Sequence, residues 1–224
     1  MSEVAVPPGS VILARHGQTA SNVVHRLDSR PPGAPLTELG HEQAQILARR
    51  LGGVDLAAIV SSVAVRAQQT AEAVASAAGM AVQVRADLQE TDAGVLEDRS
   101  DSAAHEEFVR VYGAWHDGKL DERIPEGESG RAVLDRFVPV VERLRAEYLG
   151  NGTRSVLVVS HGAAIRLVAA HLAGVNGAFA ASYSLPNTGI VMLQPEHEGW
   201  RCTQWDQHTP PFLPPAQPHV EGPA

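Results

Sequence analysis

Two His-Gly pairs carry the reactive groups of this chain. His16-Gly17 closes the run Val11-Ile12-Leu13-Ala14-Arg15, and His161-Gly162 closes the run SVLVVS at residues 155–160. A short run of β-branched and aliphatic residues suits a buried strand. When such a strand stops in Arg15-His16-Gly17, it delivers a cation and an imidazole to the edge of a sheet, where ligands of open α/β sheets collect. Gly17 has no Cβ, so the chain can turn there and other groups can approach the backbone closely. Taken singly, His16 reads equally well as a core histidine satisfied by a hydrogen bond. Two strands that end in the same pair, far apart in sequence, would bring two imidazoles to one rim.

The elements around these pairs follow from periodicity and turn chemistry. Residues 18–22 are polar and open a helix, with Thr19 or Ser21 near its N-terminus. Residues 25–35 form a loop rich in Pro and Gly that carries Arg26 and Arg30, read as solvated charges or as a hand reaching for a second anionic group. Residues 36–51 read as a helix capped by Thr37, with Leu39, Gln43, Ile46, Leu47 and Arg50 on one stripe. Residues 56–60 give a second strand and residues 64–78 a helix with Arg66 in its first turn. A helix N-terminus leaves backbone N–H groups unpaired, and an arginine there adds a forked donor that fits phosphate oxygens.

A further strand spans residues 79–88, and Glu90 follows it directly. Asp87, Glu90, Asp92, Glu97, Asp98 and Asp101 make an acidic patch, read mostly as solvated. Helices are expected over residues 102–115 and 130–149, the second kinked or split at Pro139. After the strand at 156–160 comes a helix over 163–172, then two strands at 187–193 and 199–205, paired as a hairpin across His197-Glu198. Strands alternating with helices predict a three-layer α/β/α fold with a mostly parallel central sheet. Residues 1–206 read as one domain, and the proline-rich stretch 207–224 as a disordered or extended tail.

Composition narrows the function. The 224 residues include 26 acidic and 18 basic side chains, for a formal net charge of -8. That balance argues against nucleic acid and against anionic membrane surfaces as partners, but not against a small anion held by local charge. Hydrophobic residues make up 44% and aromatics only 4%, so aliphatic side chains and alanine must fill the core. With one cysteine, Cys202, no internal disulfide and no cysteine metal cluster can form. Residues 1–10 lack a basic segment followed by an apolar one, so no signal peptide is expected. No run approaches the length of a membrane span, which makes a cytoplasmic protein the default. Oligomeric state stays open between a monomer and a homodimer.

RHGQTASN at residues 15–22 resembles the R-H-G-x-T-x-x-N signature of the histidine phosphatase superfamily, which includes phosphoglycerate mutase. The resemblance continues through LTELGHEQA (36–44), SSVAVRAQQTAEAV (61–74), LQETDAG (88–94), PEGES (125–129), VVSHGAAIR (158–166) and PNTGI (186–190). These matches keep the family's order and span most of the chain before the tail.

The resemblance implies a phosphoglycerate mutase-like fold and a set of roles. His16 would be the nucleophile, forming a phosphohistidine. Arg15, Arg66 and His161 with Gly162 would surround the phosphoryl group, and Asn22 would lie at the pocket wall. Glu90 would protonate the leaving oxygen and then activate water, with Glu97 and Asp98 as competing acids. No metal and no cofactor are implied, and the partner would be a small phosphorylated metabolite. Thr91 and Ala93 stand where mutases carry Arg and Tyr, and Glu97-Asp98 where the phosphatase branch often has Glu-Gly. These departures favour a phosphatase over a mutase. A non-catalytic phospholigand-binding protein on the same fold is the third reading.

Overall fold

The computed structural model describes residues 5–150 and 152–215. Asn151 and the tail beyond residue 215 lie outside the described residues, as does the start of the segment read for a signal peptide. Six strands form one sheet in the order β3-β2-β4-β1-β5-β6. They are β1 (Val11–Arg15), β2 (Leu56–Ser62), β3 (Val82–Arg85), β4 (Ser155–Ser160), β5 (Ile190–Pro195) and β6 (Trp200–Trp205). The pairings of β1 with β4, β4 with β2 and β2 with β3 are parallel; β5 and β6 add antiparallel at one edge.

Both faces of the central strands are buried, which is why their sequences run apolar without alternation. Val11, Leu13, Ala58, Val60, Val156 and Val158 join one core cluster. Ile12, Ala14, Ile59, Leu157 and Val159 join the other. Helices α2 (Glu38–Arg50) and α3 (Val65–Ala78) cover the second face. Helices α4 (Ser102–His116), α5 (Gly130–Tyr148), α6 (Gly162–Ala173) and α7 (Gly177–Ser182) cover the first, and the short α1 (Ala20–Val23) follows β1. The chain therefore leaves β1 and β4 toward opposite faces. That reversal opens a crevice beyond their carboxyl ends, the place where α/β folds bind ligands.

Several expectations need correction. The buried stripe of α2 is Gly40, Ala44, Leu47 and Ala48, while Leu39 is 47% exposed. Gly40 decides this rotation, because a Cβ there would stand 2.1 Å from the Gln18 carbonyl oxygen. Pro139 does not split α5, which runs unbroken from Gly130 to Tyr148. Asp135 and Pro139 both face solvent, so water meets the carbonyl that the proline leaves unpaired. Phe137, Val140 and Val141 pack on either side of the proline and hold the helix to the core. Strand β3 stops at Arg85 and passes into a short 3-10 turn, Ala86–Leu88. Helix α7 lacks a sequence period because it has only 6 residues.

No member of the acidic patch is buried, and Asp87, Asp98 and Asp101 are exposed, but several make specific contacts. The Asp101 side chain caps α4 through the Ala104 N–H, Asp92 pairs with Arg30 at 3.2 Å, and Glu97 accepts from the N–H groups of Ser29 and Arg30. The first part of the tail also folds back. The Trp205 N–H donates to the His208 carbonyl, and the Phe212 ring lies 5.2 Å from that of Phe179.

Candidate active site

Strands β1 and β4 run in parallel register, Arg15 opposite Ser160, and the His16 N–H donates to the Ser160 carbonyl at 3.0 Å. The next residues of the two strands are thus neighbours. The imidazole centroids of His16 and His161 lie 5.2 Å apart with their planes at 61°. Both rings are buried, His161 completely.

The hydrogen bonds around His16 fix its tautomer. Nδ1 lies 2.7 Å from the Gly17 carbonyl, which can only accept, so Nδ1 carries the proton. Arg66 Nε donates to Nε2 at 3.2 Å, so Nε2 presents a lone pair. Burial first, then the Arg66 and Arg15 guanidiniums, hold the His16 pKa well below the ordinary imidazole range. Burial, Arg66 and His16 do the same to His161, whose Nε2 meets Ser62 Oγ at 2.8 Å.

Two guanidiniums flank these rings. Arg15 Nη1 donates to the Leu185 carbonyl at 2.7 Å, and the stem of Arg15 lies against Gly162, where a Cβ would stand 3.3 Å from Nε. Arg66 enters from the first turn of α3, 2% exposed. Its Nη2 donates to the Asp28 carbonyl at 2.8 Å, and the Asp28 carboxylate lies 3.6 Å from Nη1. Arg15 Nε, Arg66 Nη1 and His161 Nδ1 are buried without a hydrogen-bond partner. Buried polar groups are nearly always paired, and all three belong to side chains at or beside His16.

Glu90 closes the opposite side. Its carboxylate accepts from the N–H groups of Ala163 and Ala164 at the start of α6, at 3.2 and 2.9 Å, and from the Thr91 N–H at 2.9 Å. A cavity of about 160 Å³ lies between, lined by Arg15, His16, Asn22, Arg66, Glu90 and Thr91, with Leu27 and Phe108 as an apolar wall. Asn22 is held by a capping box with Thr19 and by the Asn187 amide, which donates to Asn22 Oδ1 at 3.1 Å.

Arg15, His16, Asn22, Arg66 and Glu90 therefore share one cavity. His161 and Gly162 stand behind it, against His16 and Arg15. Of the loop arginines, Arg26 lines the cavity and Arg30 does not, being paired with Asp92. Glu97 is engaged by Ser29 and Arg30, outside the cavity lining. The sequence reading missed Asp28, Ser62 and Asn187. They are ordinary loop or strand-end residues, and only the fold brings them to Arg66, His161 and Asn22.

A neutral imidazole whose lone pair accepts from Arg66, two guanidiniums and a carboxylate around a small cavity form a site for handling phosphoryl groups. Residues 11–208 match the family model of the histidine phosphatase superfamily (branch 1), and the chain belongs to that superfamily. A curated relative, a probable phosphoglycerate mutase GpmB from Shigella boydii serotype 18, is 33% identical over 195 residues, covering 87% of this chain and 89% of the relative. Among solved structures, a mycobacterial glucosyl-3-phosphoglycerate phosphatase in complex with VO3 matches with a TM-score of 0.76 and 29% identity, over 88% of this chain and 98% of that one. A putative alpha-ribazole-5'-P phosphatase from Escherichia coli K-12 matches with a TM-score of 0.71 and 27% identity, over 89% and 97%. No described helix is long and apolar enough to cross a membrane.

Proposed function

We propose that this protein is a metal-independent phosphomonoester phosphatase that acts on small phosphorylated metabolites through a phosphohistidine on His16. The observation that carries the reading is the His16 lone pair, aimed by the Gly17 carbonyl and met by Arg66, in a cavity that also holds Arg15 and Glu90. The two phosphatase structures that share the fold support it.

The chemistry proceeds in two displacements. Phosphate oxygens entering the cavity are better acceptors than imidazole and draw the Arg66 N–H away from Nε2, which frees the lone pair. Nε2 then attacks phosphorus as the bond to the leaving oxygen breaks, and Glu90, entering this step in its protonated form, gives that oxygen its proton, to be regained from water in the second step. Arg15 and Arg66 offset the charge that spreads over the equatorial oxygens, and the neutral His161 ring offers a hydrogen bond from its unpartnered Nδ1. In the second step Glu90 takes a proton from water, the water oxygen bonds to phosphorus, the P–N bond breaks, and inorganic phosphate leaves with His16 neutral again. Nothing in this scheme calls for a metal. Among the described residues no group of three or more His, Cys, Asp or Glu could hold one.

Hydrolysis of 4-nitrophenyl phosphate in the presence of a chelator tests the reading. Wild-type protein should release phosphate and the His16→Ala variant should not, because the covalent route goes with the imidazole. Undiminished turnover in the variant would end it.

The relationship to the probable phosphoglycerate mutase favours a second reading, in which the phosphoryl group returns to the same ligand. Thr91 and Ala93 put no cation beside Glu90 in the cavity wall, which supports water as the acceptor instead. Phosphoglycerate isomerisation without phosphate release would reverse that ranking. A cytoplasmic setting belongs to the first reading, since charged phosphorylated metabolites stay in the compartment that makes them. Cell fractionation tests it.

A further inference from the structure

Arg136, on α5, uses all five N–H groups of its guanidinium on acceptors of four residues. Nε and Nη2 grip the Glu128 carboxylate at 2.7 and 2.8 Å. Nη1 donates to the carbonyls of Asp87 and Gln89, both at 2.9 Å, and Nη2 donates to the Glu90 carbonyl at 3.0 Å. Glu128 completes the arrangement: its Oε2 accepts from the Asp92 N–H at 3.0 Å, and its own N–H donates to the Asp92 carbonyl at 3.2 Å. The pair is largely buried, with side chains 12% and 22% exposed, so it is screened less than a surface pair. Neither residue lines the cavity.

The segment from Gln89 to Ala93 has no regular structure of its own. Apart from the Thr91 N–H, which donates to the Glu90 carboxylate, its backbone groups are held largely from outside, and Arg136 and Glu128 grip it on both sides of Glu90. The side chain of Glu90 is fixed separately, by the first turn of α6. A carboxylate held at its backbone by α5 and at its oxygens by α6 is set in place between two helices.

We infer that Arg136, with Glu128 as its counter-ion, is the positioning residue for the acid–base carboxylate of Glu90. This rests on the reading of Glu90 as the proton donor to the leaving oxygen. The fork matters as much as the charge, since five donors in one plane meet acceptors on four residues, and a lysine has three donors and no plane.

The test is the dependence of kcat/KM on the leaving group. An alkoxide needs a proton to leave, whereas 4-nitrophenolate hardly does. In Arg136→Met, kcat/KM for glycerol phosphate should fall on the order of 10²-fold and that for 4-nitrophenyl phosphate by less than about tenfold, the scale set by displacing a catalytic group by about 1 Å. The same carboxylate activates water, so a pre-steady-state burst of nitrophenolate should grow as the phosphoenzyme accumulates. The double variant with Glu90→Gln should lose no more than Glu90→Gln alone, because both changes remove one function. Arg136→Lys should fall between Arg136→Met and wild type. If Arg136→Met fails to fold, Glu128→Gln, which preserves the shape of the side chain, carries the same expectations.

Equal losses on both substrates, an unaltered ratio, or losses that multiply in the double variant would each overturn the assignment. Radiolabelled phosphate trapped on wild-type His16 separates the two levels of the argument. Label trapped with equal losses overturns the role of Arg136 alone, and no trapped label overturns it together with the phosphohistidine.

Discussion

The Nε of Arg66 donates to the Nε2 of His16 at 3.2 Å, so the guanidinium holds the atom proposed as the nucleophile. This one bond orders both groups. It fixes the ring of His16 against the guanidinium, and both side chains line the one cavity. The carbonyl of Asp28 fixes the other arm of the fork at 2.8 Å.

Arg66→Lys keeps a charge and loses both bonds. Its kcat/KM should fall on the order of 10²- to 10³-fold, as for the loss of one preorganised donor at a site of developing charge. Inhibition by vanadate should weaken in parallel. Activity within a few-fold of wild type would mean that Arg66 only fills space beside His16.

Stability should depend on pH through the buried histidines. His16 and His161 have pKa values well below the ordinary range in the folded protein, and burial brings His116 down to about 4. As pH falls below about 6.5, the unfolded chain takes up protons that the folded one refuses. Stability is therefore complete above that pH and declines as pH drops toward the folded values. Each histidine contributes up to about 1.4 kcal/mol per pH unit in that window. Thermal unfolding from pH 7.5 to 5 should show Tm falling, and falling less steeply in His161→Gln. A flat profile would contradict the burial of neutral rings.

Glu97 competes with Glu90 as an acid in the sequence but not in its surroundings. It ties the loop through Ser29 and Arg30, so Glu97→Ala should lower stability by about 1 kcal/mol, the cost of stranding the buried Ser29 donor. The ratio of kcat/KM between alkyl and aryl phosphates should stay at the wild-type value. A selective loss on alkyl phosphates would move the acid from Glu90 to Glu97.

Gly40 and Gly17 form a close contact between α2 and the loop that carries His16. A Cβ on Gly17 would come within 2.5 Å of the Gly40 carbonyl oxygen, and one on Gly40 within 2.1 Å of the Gln18 carbonyl oxygen. Gly40→Ala should cost about 1–3 kcal/mol as overpacking. It should also lower activity more than Tm suggests, because relief of the clash moves the backbone beside His16. Chemical denaturation and turnover measured on one preparation check both.

Much of the site was legible because the elements that carry it are short and sharply punctuated. Apolar runs that break into His16-Gly17 and His161-Gly162 announced both strand ends, and Arg66 fell in the first turn of a helix as its position required. What escaped was set by contacts across the sequence. The face of α2 turned on the approach of Gly40 to Gln18, and the continuity of α5 through Pro139 depended on which side of the helix met water. Arg136 carries no mark of its role in the helix that holds it. Its five acceptors come from loops 8 to 49 residues away in sequence, and no local pattern records them.

The pairing of β1 with β4 also has a consequence for biosynthesis. Val11 lies opposite Val156, so the first strand to leave the ribosome has no parallel neighbour until most of the chain has followed it. Until then, Ile12 and Leu13 stay uncovered, and a nascent chain halted before His161 carries half a reaction centre and none of its chemistry. Such long-range closure makes for slow maturation and a window open to aggregation. Ligand affinity should therefore arrive late and abruptly as the polypeptide lengthens.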